Sequence, residues 1–96
     1  MELSTQDRGN GLSITIAGHI TGIAEVSQIN RYLSKNSDYQ FFELDIQDAF
    51  VIPSALIGQL VTLANAHNKQ ITIIPHHEGL KELLEDLNLH QVFNIR

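Results

Sequence analysis

FELDIQDAFVIPSALIGQLVTL, residues 42–63, opens like a buried strand, passes a proline and becomes an apolar stretch with helical spacing. Its first residues mix aromatic and aliphatic side chains, which fit a pleated, half-buried surface. Beyond Pro53, the residues Leu56, Ile57, Leu60, Val61, Leu63 and Ala64 define a wide apolar helical face suited to packing on a sheet. A strand that feeds a core helix through a short loop is the half-unit of an α/β fold.

The same alternation extends in both directions. Upstream, LSITIAG sets Leu12, Ile14 and Ile16 against Ser13, Thr15 and Ala17, the two-residue period of a strand with one buried face. The Gly- and Asn-rich DRGNG before it tolerates positive φ and makes residues 3–6 a hairpin partner. Ile23, Val26, Ile29, Tyr32 and Leu33 recur at helical spacing, with Thr21 or Gly22 as the cap, and SKNSD, residues 34–38, supplies turn formers. Downstream, QITIIP is a strand stopped by Pro75, and Leu80, Leu83, Leu84 and Leu87 mark a third helix before an edge strand at residues 92–95. The order β-β-α-β-α-β-α-β predicts one α/β domain over residues 1–96, a mixed, mostly parallel β-sheet covered by α-helices.

Size and charge narrow the function. A chain of 96 residues holds one core, and a hydrophobic fraction of 43% with 18% charged residues argues for a folded domain. Six Lys and Arg against eleven Asp and Glu give a net charge of −5, which disfavours a phosphate-neutralising nucleic-acid surface and favours protein partners. Without cysteine there is no disulfide, thiolate catalysis or cysteine-held metal. The N-terminus carries no targeting pattern, and no apolar run approaches the roughly 20 residues of a spanning helix, so a cytoplasmic location without direct membrane insertion is expected.

No motif for catalysis emerges. There is no phosphate-cradling glycine loop, zinc-binding HExxH or nucleophile elbow. His76 and His77 point to opposite sides of an extended segment, and His19, His67 and His90 lack metal-ligand spacing. Asp45 and Asp48 flank a strand end without a nucleophile or basic partner nearby in sequence, so Asp48 reads as a solvated loop charge. The expectation is a protein that is not an enzyme and carries no metal or cofactor.

Ser54 has a physical role at either of two helix starts. With Pro53 as the first helical residue, Ser54 lies in the first turn; with Ser54 as the N-cap, its hydroxyl accepts from a free backbone N–H. A hydroxyl at a helix N-terminus is also a place where a phosphoryl group is tolerated, because free N–H groups and the macrodipole favour negative charge. Such a group adds a charge of about −1.5 to −2 and can repel a docked partner.

LDIQDAFVIPSALIGQL and GLKELLEDLNLHQVFNI, with the element order, resemble the STAS domain of bacterial anti-anti-sigma factors over residues 12–95. Leu80, Leu84, Leu87, Leu89, Phe93 and Ile95 match its C-terminal pattern. Aligned without gaps, Pro53 stands at the family's acidic position, Ser54 and Ala55 at its serine pair and Gly58 at a recurring glycine. A shift by one sets Ser54 at the phosphorylated serine and Ile52 at the acidic position, so the acid is missing in both registers. Residues 55–67 make a helix about one turn shorter than is usual there, and Thr21 stands where the family often has an acid.

The resemblance implies a non-catalytic regulator that binds a serine kinase of the anti-sigma type, is released by phosphorylation at Ser54 and is reset by a PP2C-type phosphatase. Thr21, Pro53, Ser54, Ala55 and Gly58 are the implied partner contacts. Family members act on sigma factors, biofilm programmes and stress responses. The alternative it implies is an accessory subunit bound to the ATPase of an ABC-type lipid transport complex.

Overall fold

The computed structural model describes residues 1–36 and 38–96; Ser37, within the turn-forming run 34–38, lies outside the described residues. Five strands, β1 (Glu2–Asp7), β2 (Gly11–Ala17), β3 (Phe41–Ile46), β4 (Gln70–Pro75) and β5 (Asn94–Ile95), are joined by three α-helices, α1 (Ile23–Lys35), α2 (Ser54–Ala66) and α3 (Glu78–Asp86), and a 3-10 turn at Leu89–Gln91. The strands lie in chain order in one mixed α/β sheet. β1 pairs antiparallel with β2, and the other three pairings are parallel.

Sequential parallel strands with right-handed crossovers put every connecting helix on the same side of the sheet. The side-chain rows agree. Leu12, Phe42 and Ile71 are in register, as are Ile14, Leu44 and Ile73, and all six are buried beneath the helices. The helices meet this floor with Val26, Ile29 and Leu33 from α1, Leu56 and Leu60 from α2, and Leu80 and Leu84 from α3.

The opposite face carries no helix and sets paired polar side chains among the half-buried Phe41 and Ile74. Ser13 Oγ donates to Glu43 Oε1 at 3.2 Å, Arg96 Nη1 lies 3.4 Å from Glu43 Oε2, and His76 Nε2 lies 2.6 Å from Asp45 Oδ1. This pairing allows a largely parallel sheet, which usually hides both faces, to leave one uncovered. The expected helical cover therefore extends over one face only.

Three sequence expectations change in detail. Ile23 is 86% exposed rather than part of the α1 core face: it is the first residue of the helix, and the buried row starts one turn later at Val26. Leu87 is 50% exposed, since it caps α3 where the chain turns away into the left-handed residue Asn88. The tail forms strand only at Asn94–Ile95; the segment before it makes the 3-10 turn that buries Leu89 and Phe93.

Candidate partner-docking site at the strand C-termini

In an open α/β sheet the loops leaving the C-terminal ends of the strands meet at one edge. Here they are residues 18–22 after β2, residues 47–53 after β3 and residues 76–77 after β4. Their first residues extend the sheet: Gln47 N donates to Ile16 O at 3.0 Å, and His76 N donates to Ile46 O at 3.2 Å. Asp48 Oδ2 then accepts from Gly18 N at 2.6 Å, tying two loops together. Gly18 holds φ +91, a left-handed conformation that favours glycine, and a Cβ there would lie 3.2 Å from Met1 Cα.

Between these anchors the chain turns apolar side chains outward. Ala49 and Ile52 reach the core, but Phe50 and Val51 between them are 49% and 51% exposed. Phe50 stands between two imidazoles, edge-on to His19 at 5.9 Å and tilted against His77 at 5.5 Å. His77 is held in turn, because its Nδ1 accepts from Gly79 N at 3.0 Å as the cap of α3. His19, Ile20, Thr21, Phe50 and Val51 line a concavity of about 330 Å³.

Of the expected contact residues Thr21 lines this concavity, and Pro53, Ser54, Ala55 and Gly58 belong to the start of α2, which follows Val51 in the chain. Thr21 is exposed on its wall and its Oγ1 donates to Glu25 Oε1 at 3.0 Å, while Gly22 occupies the N-cap of α1. Pro53 is half-buried and is the N-cap of α2, with extended ψ 146; its carbonyl accepts from Leu56 N and Ile57 N at 3.0 and 3.2 Å. Ser54 is therefore the first helical residue, and both expected helix starts are corrected by one position. The proline ring offers no acceptor, so this N-terminus has no side-chain cap.

Ser54 and Ala55 are exposed, and their backbone N–H groups have no acceptor among the described residues. Gly58 is exposed one turn further along, on the same side of the helix. A Cβ built at Gly58 meets nothing within 4 Å, so the chain's own packing does not require glycine there.

Sequence reasoning missed Phe50, Val51, His19 and Ile23. The available signal was the run Ala49, Phe50, Val51, Ile52, four apolar residues in a loop too short to bury them all.

The remaining chemical candidates separate. Asp45 lies on the open sheet face with His76, whereas Asp48 binds a loop amide, so the two carboxylates do not form a pair. Among the described residues no group of three His, Cys, Asp or Glu side chains has metal-site geometry, and no helix is long and apolar enough to cross a membrane. The chain matches no family model, and no curated protein matches it.

Proposed function

We propose that the chain is a STAS-type regulatory protein that docks a serine kinase of the anti-sigma type at the edge formed by Thr21, Phe50, Val51, Pro53 and Ser54. It is no catalyst, and it is switched by reversible phosphorylation of Ser54. The observation that carries this reading is an exposed hydroxyl on the first residue of an uncapped helix, three residues beyond two half-exposed apolar side chains. The apolar pair offers a docking surface, since burying half-exposed Phe and Val is favourable by about 1 kcal/mol each. The uncapped amides favour an anion at Ser54, and that anion opposes an acidic or apolar partner.

Incubation with the cognate kinase and ATP is expected to place one phosphate on Ser54 by mass spectrometry, removable by a PP2C-type phosphatase; a phosphate on another hydroxyl overturns the site. Ser54→Asp weakens kinase binding and Ser54→Ala preserves it, so equal affinities remove the switch. The accessory-subunit reading has one feature in its favour, Pro53 at the family's acidic position. Capture of a transport ATPase rather than a kinase from the native cell replaces the first reading with it.

A further inference from the structure

The helical face carries its charge unevenly. α1, α2 and α3 lie side by side in that order, because each crosses between neighbouring strands of a sequentially ordered sheet. On α1 the core positions Val26, Ile29 and Leu33 turn Arg31 and Lys35 outward. On α3 the core positions Leu80 and Leu84 turn Glu82 and Glu85 outward. Between them, residues 49–68 contain no Asp, Glu, Lys or Arg.

None of these flanking charges forms an ion pair among the described residues. The ion pairs Asp45 with His76 and Glu43 with Arg96 lie on the opposite, open face. Arg31, Lys35, Glu82 and Glu85 are exposed and enter neither. The outward side of α2 carries no formal charge, and the Thr62 hydroxyl on it is already donated to Gly58 O at 2.9 Å, which leaves the Ser54 hydroxyl and the Asn65 amide as the polar groups a partner has to meet. Charge depletion at the centre with charge at the rim is how interface surfaces differ from other protein surface.

The geometry points to a second copy of this chain as the occupant. Two helical faces can meet about a two-fold axis along the helices or across them. An axis across the helices sets α1 on α1 and α3 on α3, like charge on like. An axis along them sets α2 on α2 and places Arg31 and Lys35 of each copy against Glu82 and Glu85 of the other. Complementary charge selects the second arrangement. A standard interface takes about 800 Å² from each partner, and a molecule with principal extents of 31 × 28 × 22 Å offers a face of that order. The dimer is a separate assembly from the kinase complex, and because it covers Ser54, Ala55 and Gly58 on the outward side of α2 it competes with a partner bound there.

Charge reversal tests it with proteins that keep the same core. Sedimentation equilibrium of the full chain is expected to show a monomer–dimer equilibrium that weakens with added salt. The variants Arg31→Glu/Lys35→Glu and Glu82→Lys/Glu85→Lys each dimerise roughly tenfold or more weakly than the native chain. Mixed in equal amounts, the two variants restore association as a heterodimer, since each then meets opposite charge at both contacts. Circular dichroism confirms that both remain folded. A native chain that stays monomeric at every concentration, variants that self-associate like it, or a mixture that fails to associate overturns the proposal.

Discussion

The two ends of the sheet treat their exposed groups in opposite ways. At the end where the parallel strands begin, the loops are stitched to each other: Gln40 N donates to Asn10 O at 2.7 Å, Gln70 N to Gln40 O at 3.1 Å, and Lys69 Nζ to Tyr39 O at 2.6 Å. At the end where they finish, the stitching stops after Asp48, and the chain then exposes Phe50, Val51 and Ile23. Three of the four large hydrophobic residues with high exposure lie there, so the apolar surface is concentrated rather than scattered. One end completes the fold. The other leaves Phe50, Val51 and Ile23 exposed to water.

The largest effect should come from the stitched end. Phe41 lies across Gly11 on the open sheet face, and a Cβ on Gly11 would sit 2.0 Å from Phe41 Cε2. Gly11→Val is expected to lower stability by about 1–3 kcal/mol, read as a reduced urea midpoint with an unchanged slope. Adding Phe41→Ala to Gly11→Val returns part of the loss, because it removes the clashing ring. A Gly11→Val chain as stable as the native one would mean that the ring swings away freely and that this end is looser than its hydrogen bonds imply.

A smaller effect is expected at the open end. Phe50→Ser and Val51→Ser should each change stability by about 1 kcal/mol or less, because both side chains are half solvated already. Partner capture from native lysate, in contrast, should fall sharply. If Phe50→Ser unfolds the chain as readily as Gly11→Val, the ring packed between His19 and His77 fastens the loops together, and the contrast between the two ends disappears.

The fold was legible because its pattern is carried by many residues at once. Leu12, Ile14 and Ile16 alternate, Val26, Ile29 and Leu33 follow the helical period, and each repeats a statement made by its neighbours. The edge was less legible, because loops have no period. Ala49, Phe50, Val51 and Ile52 read alike in sequence, and only the return of the chain into α2 decides that the outer two go in and the inner two go out. Helix ends were also one residue uncertain. The sequence allows Pro53 as the first helical residue or Ser54 as the N-cap, and the extended ψ of Pro53 makes Pro53 the cap and Ser54 the first helical residue instead. Ile23 misled for a related reason: its spacing matches the core face, but nothing local marks that the buried row begins only at Val26.

The finest test of the contrast lies in one phenol at the stitched end. Tyr39 has its pKa raised from the ordinary 10.0, first by its hydrogen bond with Asp7, then by desolvation, then by the Asp7 charge. The folded state therefore holds this proton more tightly than the unfolded chain does. Its contribution is fully present below the unfolded phenol's pKa and is lost as pH rises through the folded one, so stability declines with pH across that alkaline window. In a Tyr32→Phe background, which leaves Tyr39 as the remaining tyrosine, the tyrosinate absorbance should rise at a higher pH in the folded than in the unfolded chain. Asp7→Asn should shift the folded midpoint down, because it removes both the carboxylate acceptor and the negative charge. A midpoint that does not move would show that the β1–β2 turn and the segment before β3 are not coupled through this pair, and the stitching would then rest on backbone hydrogen bonds and the Lys69 contact alone.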